Sequence, residues 1–223
     1  MDEPRENNMV ETSRVKIIYQ TVNKFSLDQN KFKEHIESLI KKLEDGEVKN
    51  NEDKNIKRFL KEFGTLLGYE TCTPNRHEAP DCIWYLNDRV AYIFEVKTNK
   101  KNGIININEV RQIILMPEEI KSNEKLVVPI NVLPICITDA QEIAKEEADL
   151  AAKFYVLTTV ELMEIAKSWL SRLLAIQNRA FKDEIYFKSQ IESALKTQAL
   201  TKNDLSNKFY KVKGNEKLKP PLK

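Results

Sequence analysis

The residues of this chain best suited to chemistry are Pro80-Asp81 and, fourteen positions beyond the aspartate, Glu95-Val96-Lys97 at the end of an apolar run. Side chains alternate faces along a strand, so Glu95 and Lys97 point the same way and Val96 into the opposite layer. Asp81 starts the preceding strand of what reads as a hairpin turning at Asn87-Asp88. Residues 81 and 95 sum to about twice the turn position, which sets them nearly opposite each other, with Cβ atoms ~5 Å apart. Two carboxylates so placed repel, and a hard dication bound through oxygen relieves the repulsion. Mg²⁺ is the natural choice, because it takes one or two carboxylates together with waters and phosphate oxygens, and Mn²⁺ can substitute. The Val96 carbonyl is a further candidate ligand. Lys97 would stand where it can stabilise an attacking hydroxide or the charge growing on a phosphate. Metal-assisted hydrolysis of this kind needs no catalytic histidine, which suits a chain whose only histidines are His35 and His77.

A Glu-x-Lys triplet alone carries little information. Glu47-Val48-Lys49 repeats the same three residues in a polar stretch, and Glu119-Ile120-Lys121 lies in a helical pattern. Neither follows an apolar strand with an aspartate upstream. The signal at 95–97 is therefore its context.

Several elements must hold that context in place. Residues 1–25 are weakly patterned, with Val15 to Tyr19 open to either a short strand or a helical turn. Phe32, Ile36, Leu39, Ile40 and Leu43 recur at helical spacing in a helix with Ser26 as N-cap and a stop near Asp45-Gly46. Residues 46–54 read as an exposed linker. Ile56, Phe59, Leu60, Phe63, Leu66 and Leu67 stripe a second helix that Gly68 ends. Strands are expected over 69–73, 82–86 and 90–94. The last is apolar throughout, as in a sheet covered on both faces. A helix over 106–121 starts at Asn106 or Asn108 and meets a complication at Pro117. A strand follows over 133–138, with 127–132 either joined to it or separate. Then come a helix over 141–153, a strand over 154–157, a long helix capped by Thr158 or Thr159, and a final helix over 183–200. Residues 211–223 read as a basic disordered tail. The order describes an α/β sandwich around a mixed sheet.

Composition narrows the function classes. The chain has 36 basic and 34 acidic residues, a net charge of +2, so it is not coated in positive charge, and nucleic-acid binding would need a local basic surface. No apolar run is long enough to span a bilayer, and the acidic start of the chain does not read as a secretory signal, so a cytoplasmic location without membrane attachment is expected. Three cysteines without paired spacing, Cys72, Cys82 and Cys136, argue against a disulfide framework or structural zinc and for small core residues. Five glycines with no Gly-rich strand-to-helix turn give no support to a nucleotide cradle.

Pro80-Asp81 with Glu95-Val96-Lys97, behind an amphipathic helix ending in Leu67-Gly68-Tyr69, resembles the PD-(D/E)xK nuclease superfamily over roughly residues 51–140. The resemblance implies a restriction-endonuclease-like αβββαβ core, Mg²⁺-dependent phosphodiester hydrolysis and catalytic roles for Asp81, Glu95 and Lys97. It further implies an acidic metal ligand on the first core helix, Glu52 or Glu62, and a glutamine on the helix after the lysine, Gln112. In these terms the chain divides into an N-terminal helical extension (1–50), a nuclease-like core (51–160), C-terminal helices packing on the core or on a partner (161–210), and the tail. Arg76, Asn75, Lys100 and Lys101 are candidate nucleic-acid contacts. DNA is the favoured substrate, cut internally rather than from an end and in a setting such as restriction or genome defence, with a homodimer or a larger defence complex as the assembly. The alternative is a non-catalytic binding or assembly module that keeps the fold. His77 reads as a loop residue, and Trp84 and Tyr85 as packing residues.

Overall fold

The computed structural model describes residues 3–25, 29–48, 52–74, 79–85, 91–98, 103–122, 134–180 and 183–220. Three helices come first: α1 (Glu3–Asn23), α2 (Gln29–Val48) and α3 (Glu52–Leu66). A five-stranded mixed sheet follows in the order β1-β2-β3-β5-β7. Its strands are β1 (Glu70–Cys72), β2 (Cys82–Tyr85), β3 (Ala91–Val96), β5 (Pro134–Ile137) and β7 (Tyr155–Leu157). The first three are antiparallel, while β3, β5 and β7 run parallel. Helix α4 (Ile107–Ser122) makes the crossover from β3 to β5, and β4 (Ile104–Ile105) pairs with β6 (Glu142–Ile143) beside it. Helices α5 (Thr159–Ala180), α6 (Glu184–Thr197), α7 (Lys202–Phe209) and α8 (Gly214–Lys217) complete the chain. Among the described residues no helix is long and apolar enough to cross a membrane.

The sheet separates two apolar layers, and strand alternation assigns each residue to one of them. On β3, Tyr92, Phe94 and Val96 enter the layer formed with α1, α2, α3 and α5. Ala91 and Ile93 enter the layer formed with α4 and the segment after β6. Every residue of β3 is buried, as its apolar run Ala91 to Phe94 requires, and Glu95 is buried with them. Glu95 has the parity of Ile93, so its carboxylate lies on the α4 side of the sheet.

Helix α3 is amphipathic, and its C-terminal end is driven deep into the first layer. The orphan carbonyls of that end find side-chain donors. Arg14 donates from Nε and Nη2 to the Leu67 carbonyl at 3.0 and 2.9 Å, and Trp169 Nε1 donates to Leu66 at 2.8 Å. Trp84 on β2 lies against Gly64, where a Cβ would come within 2.4 Å of the indole ring, and donates from Nε1 to the Leu60 carbonyl at 2.9 Å. Gly68, at φ +87, turns the chain out of the helix into β1. These contacts fix α3 rigidly against β2, leaving the N-terminal half of its outer face free beside the start of that strand.

Several expectations are corrected here. Residues 3–23 form a full helix. Its buried stripe is short in apolar residues because Arg14, a polar residue, is one of its anchors alongside Val15, Ile18 and Val22. Helix α2 continues through Gly46 to Val48, so the segment read as a linker is largely helical. Pro117 lies inside α4 without ending it. Asn106 is the N-cap, exchanging hydrogen bonds with Glu109 in a capping box. The expected helix over 141–153 is instead β6 and a 3-10 segment, Lys145–Lys153, because β4 and Lys219 draw its first residues into strand pairing. The helix expected over 183–200 is α6, and it is not the last, because α7 and α8 follow it. Residues 211–220 are not a disordered tail. Val212 accepts from Val156 N at 2.9 Å, Gly214 N donates to Phe154 at 2.9 Å, and Lys219 bonds with Gln141 and Ile143, each at 3.0 Å, while Leu218 is buried. The turn at Asn87-Asp88 and residues 127–132 lie outside the described residues.

Candidate active site

The site forms where β2 begins and β3 ends. The antiparallel register runs out to Cys82 opposite Phe94, and the next residues outward are Asp81 and Glu95. Asp81 is fixed twice to β3: its backbone N donates to the Phe94 carbonyl at 3.0 Å, and its Oδ2 accepts the Val96 N–H at 2.9 Å. The end of β3 is in turn locked to β5, because Lys97 N donates to Ile137 at 2.9 Å and Thr138 Oγ1 donates to the Lys97 carbonyl at 2.7 Å. Both strands therefore present their acids from hydrogen-bonded backbone. The site sits at the carboxyl end of a parallel strand, the usual side for ligands in an open α/β sheet.

Lys97 Nζ lies 2.7 Å from Glu95 Oε1 and donates to Gln112 Oε1 of α4 at 2.8 Å. Glu95 Oε2 is buried and has no hydrogen-bond partner. Across the site, Lys57 of α3 reaches Asp81 Oδ1 at 2.5 Å. The Glu95 side chain is only 1% exposed and that of Asp81 10%. Burial, reinforced by the neighbouring Asp81 carboxylate, pushes the Glu95 carboxyl up to about 7, and Lys97 and Lys57 only partly oppose it. Burial likewise raises Asp81, against the pull of Lys57, the Val96 N–H and Lys97.

These groups line one cleft of about 960 Å³ between α3 and α4. Asp81, Glu95, Val96, Lys97, Gln112 and Glu62 all border it. The Glu62 carboxylate is committed elsewhere, to Lys42 Nζ at 3.1 Å and His35 Nε2 at 3.6 Å, so it does not join the acid pair. Helix α3 starts at Glu52, whose side chain lies outside the described residues, as do Asn75, Arg76, His77, Lys100 and Lys101. Among the described residues no three His, Cys, Asp or Glu side chains converge. Two neighbouring carboxylates, one with a buried and unpartnered oxygen, nevertheless suit Mg²⁺, which completes its shell with water and phosphate oxygens.

Sequence reasoning passes over Lys57 and its neighbours. Lys54, Lys57, Arg58 and Lys61 border the cleft from α3 at i, i+3, i+4 and i+7, the mirror of its apolar stripe. That spacing was available in the sequence as a signal.

Comparison with models of known families, with curated proteins and with solved structures finds no match for this chain.

Proposed function

We propose that this chain is a Mg²⁺-dependent hydrolase of phosphodiester bonds, acting on DNA through a restriction-endonuclease-like core. The observation that carries the reading is the pair Asp81 and Glu95 at the joined ends of β2 and β3, with a buried, unpartnered Glu95 oxygen and an ammonium beside it. With the short β4, which lies outside the main sheet, set aside, the succession α3, β1, β2, β3, α4, β5 supports it, since it follows the αβββαβ order that the motif implies. Internal cleavage in a restriction or defence setting belongs to the same reading.

The roles follow from position. Asp81 and Glu95 hold the ion, with Val96 at the cleft wall between them. A bound ion would polarise the phosphoryl oxygen and acidify water at neutral pH. Lys97 is held between Glu95 and Gln112, which aims its ammonium along the cleft floor toward an incoming phosphate. Gln112 positions that lysine. Lys57 neutralises Asp81 and competes with other cations for it.

The test is digestion of plasmid and linear DNA with Mg²⁺ or Mn²⁺ by the wild type, Asp81→Ala and Lys97→Ala. Metal-dependent cutting lost in both folded variants supports the reading. Cutting retained in both, or no cutting by the wild type, rejects it.

A further inference from the structure

The outer face of α3 carries four cations in two turns, and among the described residues three of them meet no counter-charge. Lys57 is paired with Asp81. Lys54, Arg58 and Lys61 are exposed and make no ion pair or hydrogen bond among the described residues. Of the acids on this helix, Glu62 is turned away to Lys42 and His35 of α2, while the side chains of Glu52 and Asp53 lie outside the described residues. Like charges at i, i+3 and i+4 repel, so the ridge carries a standing electrostatic cost that a polyanion would relieve. Among the described residues the facing wall, Thr73, Pro74, Ala79 and Pro80, adds no charge. The described positive charge thus lies on the α3 side and leads directly to Asp81.

We propose that Lys54, Arg58 and Lys61 grip the sugar-phosphate backbone of one strand of a DNA duplex and feed it along α3 to the acid pair. This deepens the hydrolase reading and rests on it for the placement of the scissile phosphate. Lys54 and Lys61 lie seven residues apart, ~10 Å along the helix axis. That length matches about three nucleotide steps of one duplex strand, at ~3.4 Å each. Three side chains over that rise can each meet a phosphate of the strand. Arg58, in the middle, offers the bidentate fork that suits phosphate.

The experiment measures binding of a labelled DNA duplex by fluorescence anisotropy, in chelator so that no cutting occurs, from about 50 to about 200 mM salt. Wild type is compared with the triple variant Lys54→Gln/Arg58→Gln/Lys61→Gln, and with Lys167→Gln/Lys196→Gln as a control on distant helices. Circular dichroism and thermal melting check that each is folded. The triple variant is expected to lose at least tenfold in affinity, and its salt slope to become shallower by about 2 to 3, at ~0.9 per phosphate contact. The control should match wild type. Equal affinity and slope in wild type and triple variant overturn the proposal, as does absence of binding by wild type. Tighter binding of an RNA duplex of the same sequence overturns the choice of DNA. Because no metal is present, the result separates from catalysis. A chain that binds through the ridge and never cuts keeps the ridge and loses the hydrolase reading. A chain that cuts, with the triple variant's KM unchanged, does the reverse.

Discussion

Glu-Val-Lys occurs twice in this chain, at 47–49 and at 95–97, and the two copies have opposite fates. The first falls at the end of α2, whose last two residues are Glu47 and Val48. The second closes β3, where every residue is buried and the neighbouring strand starts just after Asp81. Identical side chains therefore acquire different electrostatics from their backbones. Burial and an opposing carboxylate push Glu95 up to about 7, and strand alternation sets Lys97 on the same face. A motif of three residues is a statement about chemistry only once a strand and a partner acid complete it.

The largest effect that sharpens this comparison is loss of cutting at the second copy. Asp81→Ala, Glu95→Ala and Lys97→Ala should each lower DNA cleavage by ~10³-fold or more, in the range for removing a charge-stabilising group or a metal ligand. Single-turnover digestion with Mg²⁺ measures it. Activity within a few-fold of wild type in Glu95→Ala would mean that the strand context confers nothing.

Next is a pH dependence that the first copy has no means to produce. Glu95 ionises in the unfolded chain near 4.5 but only near about 7 in the fold. Between these values the native state holds the extra proton, so this group's contribution to stability falls as pH rises through that window. A divalent cation must displace the proton below about 7, so Mn²⁺ binding should tighten with pH up to that point and then level off. Calorimetry in buffers of different ionisation enthalpy would report proton release for wild type at pH 6 and little for Glu95→Gln. A pH-independent affinity in wild type would contradict the assignment of Glu95 as a ligand.

Gln112→Leu should have an intermediate effect. It removes the acceptor that holds Lys97 toward α4 without touching the acids. The expected loss is ~10-fold or more in kcat with little change in Mn²⁺ affinity, the ordinary scale for a misplaced general acid-base or charge-stabilising group. An equal loss of metal binding would make Gln112 part of the ion site itself.

Much of this arrangement is legible in the sequence because simple periodicities dictate it. Period-two alternation sets the facing of Glu95 and Lys97. The apolar stripe from Ile56 to Leu67 defines α3, and the capping residues Asn106 and Thr158 mark the starts of α4 and α5. The unread parts share another cause: they depend on partners remote in sequence. Arg14 reads as a surface residue, yet it is buried because the carbonyls of Leu67 and Leu200 await it. Residues 211–220 look too polar to order, yet Phe154, Val156 and Gln141 supply their backbone partners. Lys57 is visible as part of a basic stripe, but its bond to Asp81 needs the packing of α3 on β2.

A second comparison is needed to show that burial alone does not make a site. Glu147, like Glu95, is a buried glutamate with a cation, but its Oε1 receives both Nε and Nη2 of Arg111 at 2.9 and 2.7 Å. Its charge is answered within the fold. Arg111→Ala would leave that carboxylate buried without its donors. A loss of ~1–3 kcal/mol in unfolding free energy is expected from the unsatisfied group, with cleavage and Mn²⁺ affinity within about twofold of wild type. Denaturant unfolding and the digestion assay together check both halves. The opposite pattern, activity lost and stability kept, would move the functional centre along α4 away from Glu95.

The smallest effect belongs to the first copy itself. Glu47→Gln alters the same residue type in the same tripeptide, but at the end of a helix rather than of a strand. Substitutions away from cores and caps usually change stability by less than about 0.5 kcal/mol, and nothing here links Glu47 to the cleft. Melting temperature, Mn²⁺ affinity and cleavage should all match wild type. The value of the measurement lies in its pairing with Glu95→Gln, which changes the same atoms. If the two variants behaved alike, whether both silent or both inactive, the strand and Asp81 would not be what distinguishes them. If only the second loses metal and activity, the difference is due to the fold around the tripeptide, because the tripeptide is held constant.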